Sequence, residues 1–349
     1  MANTAAVVDE DGVTFVLADR NRRLAGVRLV QDLGLAELVF VRERTEWWLR
    51  LPRPPVDRME YLFEVEDGNG HRHTIPDPTN PDRAPGAFGE KSVITFPGYA
   101  PPAWLGAPGV DGEYLPFEVE APLLGAADTT VGGTVWQPTG LAGPAPLLVV
   151  HDGPEYAQLG DLVGYLAAGI ASGELPPLRA ALVGPGERNA WYSANPDYAE
   201  TLVEALLPAL PPSTVRVGVG VSLGALSMLH VHRTYPDVFD ALLLQSGSFF
   251  APDLDGQESE FSGWEPVTEF VATVHDAESD PHPVPVAMTC GIPEENLANN
   301  QRMAETLLRL GYPVQIATTR DAHNYTAWRD ALHPHLTELV DTVAVAHAS

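Results

Sequence analysis

Val215-Arg216-Val217-Gly218-Val219-Gly220-Val221-Ser222-Leu223-Gly224-Ala225-Leu226-Ser227-Met228-Leu229-His230 is the stretch whose reading decides the fold. Its first seven residues are a β-branched run suited to a strand, and from Ser222 onward the pattern becomes helical. Between the two lies Gly220-Val221-Ser222-Leu223-Gly224, a G-x-S-x-G pentapeptide. A serine set between a strand and a helix must turn sharply on strained backbone angles, so the residues two before and two after it have to be small. Glycine at both places meets that demand. The expectation is an exposed Ser222 Oγ at a strand tip, with the next helix N-terminus supplying partial positive charge where an oxyanion forms.

Outward from this stretch the chain has a regular βα rhythm. After a lead-in strand pair, Tyr114 to Val119 and Thr129 to Gln137, strands are expected at Leu147–His151, Ala180–Gly184, Val215–Val221, Ala241–Gln245, Val284–Cys290 and Val314–Thr319. Helices are expected between them, at 159–170, 198–210, from 222, 261–274 and 297–310, and finally at 325–344. Apolar strands alternating with amphipathic helices predict an α/β domain with a mainly parallel sheet covered on both faces. Active sites in such sheets lie beyond the carboxyl ends of the strands. There the chain places His151-Asp152-Gly153-Pro154-Glu155-Tyr156, Gly186 to Tyr192, Ser222, Gln245 to Phe250, Gly291 to Asn296 and Asp321-Ala322-His323-Asn324.

Gly218, Gly220 and Gly224 also imitate a dinucleotide-binding glycine run. That fingerprint opens the first βαβ unit and is followed by an acid at the next strand end. Here the run opens the third unit and the next strand ends in Gln245, which argues against the nucleotide reading. A nucleophile, an acid and a histidine following successive strands in that order match α/β-hydrolases. His323, just after the last strand, is the candidate general base for Ser222. His151 is its competitor and fits the oxyanion-side turn better, while Asp321 lies too near His323 to orient it across a pocket. Glu294 and Glu295 both follow the strand ending at Cys290, and spacing does not separate them as the acid that accepts the His323 Nδ1 proton. Leu223 N–H is the first oxyanion donor. Arg188, Trp191 and Tyr192 form a candidate substrate wall through charge and stacking, with Tyr156 and Ser248 as further substrate-contact candidates.

The first third reads as all-β. Short β-rich runs separated by turn residues occur at 12–17, 26–31, 38–42, 45–51, 59–65 and 71–75, the spacing of a small sandwich. Asp67-Gly68-Asn69-Gly70 predicts a hairpin between the last two. Adjacent strand residues point to opposite faces, so Trp47 and Trp48 are expected as one core ring and one interface ring rather than a carbohydrate platform. A proline- and glycine-rich linker from about residue 100 to Gly112, pinned by Trp104, divides a sandwich at 1–114 from a catalytic domain at 115–349.

The chain of 349 residues carries a formal net charge of −27, and Lys91 is its one lysine. Such a surface repels phosphate backbones and anionic membranes, which argues against nucleic-acid and membrane partners. The acids are scattered, as expected of a solubilising surface. One cysteine, Cys290, excludes an intrachain disulfide and sits in an apolar run as a buried, inert thiol. The opening Met1 to Glu10 has no basic, apolar leader pattern, and no apolar run approaches the roughly 20 residues of a membrane span. A cytoplasmic protein is expected.

Several motifs carry a specific resemblance. Asp152-Gly153-x-x-Tyr156, Arg188-x-x-x-Tyr192-x-x-Asn195, Gly220 to Gly224, Gln245-Ser246-Gly247-Ser248-Phe249, Gly291-x-x-Glu294 and His323-x-x-x-x-Trp328-Arg329 resemble the enterochelin (siderophore) esterase and esterase D branch of the α/β-hydrolases. Trp47-Trp48, Tyr61 with Phe63, Asp77-Pro78-Thr79-Asn80-Pro81 and the approach from Phe88-Gly89 to Ser92-Val93 resemble the immunoglobulin-like domain that precedes the catalytic domain in that family. The resemblance selects Glu294 over Glu295. It also implies a second oxyanion donor after Asp152-Gly153, but Pro154 stands at that position and has no N–H, so the donor falls to Gly153 or Glu155. Ala322-His323-Asn324 replaces the family's usual Gly-His-Asp.

The expected activity is a serine esterase acting through an acyl-enzyme on a small-molecule ester, with no metal or organic cofactor implied. The resemblance points to siderophore ester or trilactone hydrolysis. A feruloyl or acetyl esterase of carbohydrate-linked esters is the first alternative, and a non-catalytic binding protein on the same fold is the second. Ferric tricatecholate siderophores are anionic, so that substrate requires a local positive pocket, for which Arg188 and Arg329 are the candidates. Arg329 also has a structural reading, as the residue that holds the last helix.

Overall fold

The computed structural model describes residues 6–35 and 38–348. Residues 1–5, on which the leader reading in part rests, lie outside the described residues. The chain divides into two compact units. One consists of Met1–Pro101 with Gly291–Glu295 and Thr319–Ala327, the other of Pro102–Cys290, Asn296–Thr318 and Trp328–Ser349.

The first unit is built on ten strands: β1 (Val7–Asp9), β2 (Gly12–Ala18), β3 (Leu24–Gln31), β4 (Leu38–Val39), β5 (Val41–Glu43), β6 (Glu46–Pro52), β7 (Arg58–Asp67), β8 (Arg72–Ile75), β9 (Arg83–Ala84) and β10 (Lys91–Thr95). They form two sheets, β1-β2-β6-β5 and β4-β3-β7-β10-β9, with β8 paired to β7. Alternation aims one face of each sheet into a common core: Val13, Phe15 and Leu17 from β2 meet Met59, Tyr61, Phe63 and Val65 from β7. Phe15 meets Tyr61 edge-on at 4.8 Å between ring centroids, and Phe40 meets Phe63 at 5.2 Å.

The hairpin at 67–70 forms as the turn residues dictate, with Asp67 Oδ1 accepting from the N–H groups of Asn69 and His71. Trp47 is a core ring, whereas Trp48 is 37% exposed. The Asp77–Pro81 segment is a pin: Tyr61 donates its hydroxyl proton to Asp77 at 2.8 Å, and Asn80 Nδ2 donates to the same hydroxyl oxygen at 3.1 Å.

The second unit is organised by an eight-stranded sheet, β11 (Gly112–Glu120), β12 (Thr130–Pro138), β13 (Ala145–Val150), β14 (Arg179–Val183), β15 (Ser213–Val221), β16 (Ala241–Gln245), β17 (Val286–Gly291) and β18 (Val314–Thr319). Their order is β11-β12-β14-β13-β15-β16-β17-β18. The first three in that order are joined antiparallel, and β14, β13, β15, β16 and β17 run parallel. Every residue of β14, β16 and β17 is buried, as a parallel sheet covered on both faces requires. After β13 the chain moves to one side to form β14 and then returns to the other side as β15. The carboxyl ends of β13 and β15 therefore flank a topological switch point.

The helices are α1 (Gly153–Leu159), α2 (Leu162–Ser172), α3 (Arg188–Tyr192), α4 (Pro196–Glu200), α5 (Leu207–Ala209), α6 (Leu223–Thr234), α7 (Trp264–Asp276), α8 (Leu297–Arg309), α9 (Tyr325–Asp330) and α10 (His335–Ala348). Four places differ from the sequence expectation, the first being the helix expected at 198–210, which is α4 and α5 joined by a π-helical stretch at Thr201–Leu206. The Asp152-Gly153-Pro154 turn already opens α1, because Pro154 sits in the first turn, where a missing N–H breaks no helical bond. The expected final helix is two, since Pro334 cannot continue the ladder. Arg188–Tyr192, where the sequence pattern predicts no helix, is a short helix. Trp104 packs edge-on against Tyr165 of α2, with ring centroids 5.2 Å apart. Among the described residues, no helix is long and apolar enough to cross a membrane.

Candidate active site

Strand β15 ends at Val221 and α6 begins at Leu223, which leaves Ser222 as the single residue of the corner, at φ 55° and ψ −126°. A non-glycine residue in that region costs on the order of 1–3 kcal/mol and persists only where its surroundings over-determine it. Here they do. Ser222 N–H donates to the Gln245 carbonyl at 2.8 Å, and the Ser222 carbonyl accepts from the N–H groups of Ala225 at 3.0 Å and Ser248 at 3.2 Å. A Cβ on Gly220 would stand 2.4 Å from the Gly224 carbonyl oxygen, so only glycine lets the helix start fold back over the strand end. Leu223, the oxyanion candidate, is the first residue of α6, and Gly153 is the buried first residue of α1.

Ser248 Oγ lies 3.4 Å from Ser222 Oγ. The loop that carries it is fixed from below. Ser246 N–H donates to Thr289 O at 2.7 Å, Trp328 Nε1 donates to Ser246 Oγ at 3.0 Å, and Asn300 both accepts from Gly247 N–H and donates to its carbonyl. Gln245 donates to Thr289 Oγ1 and to the Trp328 carbonyl, and it accepts the Tyr156 hydroxyl. Sequence reasoning missed this support because polar residues at a strand end give no sign of partners 43 to 89 residues away.

His151 is fully buried. Its Nδ1 faces the Gly224 carbonyl at 3.1 Å, and since a carbonyl only accepts, Nδ1 carries the proton and Nε2 takes the Tyr198 hydroxyl at 2.9 Å. Both ring nitrogens are thus engaged, and the ring stacks on Tyr192 at 4.3 Å between centroids. Burial pushes its pKa down to about 3, so it stays neutral. His151 is a packing and hydrogen-bonding element beneath α6, not a base for Ser222.

The expected substrate wall is mostly core. Tyr192 and Tyr156 are 0% exposed and Trp191 is 5% exposed, with its ring stacked on Tyr198. They cannot offer a face to a ligand, because α3 and α1 turn them inward. Arg188 is half-buried, and its Nε and Nη2 each lie 2.8 Å from a carboxylate oxygen of Asp152. Arg329 pairs with Asp330. Neither arginine is the unpaired cation that an anionic substrate requires.

In the first unit, Glu294 follows β17 and His323 follows β18. His323 Nδ1 lies 2.8 Å from Glu294 Oε2, and Glu294 Oε1 accepts the Gly291 N–H at 2.7 Å. The Glu294 carboxylate is buried, His323 keeps about a third of its surface, and Glu295 is exposed. With the proton on Nδ1 facing the carboxylate, Nε2 keeps its lone pair. The structure thus pairs His323 with Glu294, and Ser222 with Ser248. Among the described residues, no group of three or more His, Cys, Asp or Glu could hold a metal ion.

No protein-family model matches the chain. An alignment of 204 positions, covering 54% of the chain, is 28% identical to the iron(III) enterobactin esterase of Dickeya dadantii (strain 3937). It spans about half the length of that relative, 46%. The ferric enterobactin esterase of Salmonella typhimurium superposes with a TM-score of 0.77 at 18% identity, over 99% of this chain and 97% of that one. A ferulic acid esterase superposes with a TM-score of 0.54 at 18% identity, over 66% of this chain and 99% of that one.

Proposed function

We propose that this chain, enterochelin esterase-like in fold, is a serine hydrolase of carboxylic esters. Its reaction would run from Ser222 through His323 and Glu294. Ser222 Oγ attacks the ester carbonyl while His323 Nε2 takes its proton, and Glu294 stabilises the imidazolium through Nδ1–H. The Leu223 and Gly153 N–H groups receive the oxyanion. His323 then returns the proton to the leaving alkoxide. It next activates water, which cleaves the acyl-enzyme and restores Ser222.

The observation that carries this reading is the strained corner at Ser222. Nothing in packing alone requires a non-glycine residue at φ 55°, and the neighbouring glycines make room for it. The substrate proposed is a siderophore ester of the trilactone type. The Dickeya dadantii relative supports it, as does the likeness to the Salmonella typhimurium esterase over nearly the whole chain, whereas the ferulic acid esterase likeness stops at two thirds.

Replacing Ser222 with alanine should abolish both nitrophenyl butyrate hydrolysis and labelling by a fluorophosphonate. Turnover that survives the substitution would remove Ser222 from the mechanism. Side-by-side rates on a ferric trilactone siderophore, its iron-free form and a feruloylated sugar then decide the substrate. A preference for the sugar ester would replace the siderophore reading.

A further inference from the structure

We infer that Arg58, at the start of β7, is a positioning residue for the candidate base His323. This rests on the reading of His323 as the base. The first unit contains β7 together with the segments that bear Glu294 and His323. Arg58 reaches both flanks of the histidine: its Nη1 donates to Asp321 Oδ2 at 2.8 Å and to Asn324 Oδ1 at 3.0 Å. Its Nη2 donates to Glu60 Oε1 at 2.7 Å. All four residues are buried.

The two flanking residues in turn fix the turn between them. Asp321 Oδ1 accepts from Ala322 N–H at 2.7 Å and from Asn324 Nδ2 at 3.0 Å, and Asn324 Oδ1 caps the Ala327 N–H at 2.9 Å. Next door, Asp57 N–H donates to the Arg320 carbonyl at 2.7 Å and Ala322 sits in the first unit's apolar core. His323 is therefore the one half-exposed side chain of a turn whose neighbours on both sides are held by a single guanidinium.

A rigid fork with fixed donors suits this task, since one planar group sets the separation of two acceptors. Burying a cation and two carboxylates is costly, and a hydrophobic cluster would stabilise the fold as well. Placing the ions on either side of the candidate base gives that cost a use. Displacing a catalytic group by an ångström can cost about 100-fold in rate.

The experiment compares Arg58→Met, Arg58→Lys and Asp321→Asn on nitrophenyl butyrate, with Ser222→Ala alongside and near-UV circular dichroism as the folding control. Arg58→Met should lower kcat about 10- to 100-fold with KM within about two-fold. Fluorophosphonate labelling should slow in proportion, and Arg58→Lys should recover part of the loss. Should Arg58→Met fail to fold, Asp321→Asn keeps the shape and removes one partner, and it should show the same split between kcat and KM. Wild-type kcat in folded Arg58→Met or Asp321→Asn, beside an inactive Ser222→Ala, would overturn the positioning role alone. Turnover persisting in Ser222→Ala would overturn it together with the reading beneath it.

Discussion

Glu294 Oε2 lies 2.8 Å from His323 Nδ1 while Glu294 Oε1 takes the Gly291 N–H at 2.7 Å, so the carboxylate is oriented by the backbone of its own strand end. Both oxygens must accept, which only the ionised acid does without penalty. The imidazole is thereby held with its proton on Nδ1.

Glu294→Gln tests this arrangement with almost no change of shape. The Gly291 N–H claims the amide oxygen and turns the NH2 toward His323, which forces the imidazole proton onto Nε2. In that tautomer the base is lost, and kcat should fall by about 10⁴-fold, as for the equivalent change in a serine protease. Activity on nitrophenyl butyrate within ten-fold of wild type would mean that Glu294 does not orient the base.

Much of the fold is legible in the sequence. The valine alternation into Ser222, and the order of Ser222, an acid at Glu294 or Glu295 and His323 along the strands, come from periodicity and chain order, whereas the choice of Glu294 rests on the resemblance. The burial of Trp191 and Tyr192 is not legible in the sequence because a five-residue helix is too short to show which face it buries. Arg58 and Glu60 were invisible for a different reason. Charged residues at alternate strand positions read as a solvent face, and their burial depends on Asp321, 263 residues further along the chain from Arg58. One signal was available: charged residues in a strand whose other face is wholly apolar can mark a second buried surface.

Acid stability should report the buried histidines. His151 is pushed down to about 3 and His230 to about 4, both by burial. The unfolded chain binds these protons near pH 6.5 and the folded chain does not. Their neutral forms therefore contribute stability that is complete above about pH 6.5 and is lost as pH falls toward the folded values. From pH 6.5 to 5, His151 alone should account for about 2 kcal/mol. Urea unfolding at the two pH values should show that loss in wild type and a smaller one in His151→Asn, whose amide can still donate to Gly224. An equal pH dependence in both proteins would mean that His151 does not sustain the difference.

The charge of the chain bears on its substrate in a way that salt can read. Arg188 is neutralised by a two-pronged pair with Asp152, Arg329 is paired with Asp330, and the whole chain stands at −27. An anionic ferric siderophore would approach against a repulsive field. That field reaches about 30 Å at 0.01 M salt and only about 8 Å at 0.15 M. Raising the salt over that range should increase kcat/KM for the ferric trilactone several-fold, because the gain lies in encounter rather than chemistry. An uncharged nitrophenyl ester, which feels no such field, should keep its kcat/KM. If kcat/KM for the ferric substrate falls with salt instead, an attractive positive surface guides it, and the pairing of Arg188 and Arg329 does not describe the electrostatics that the substrate meets.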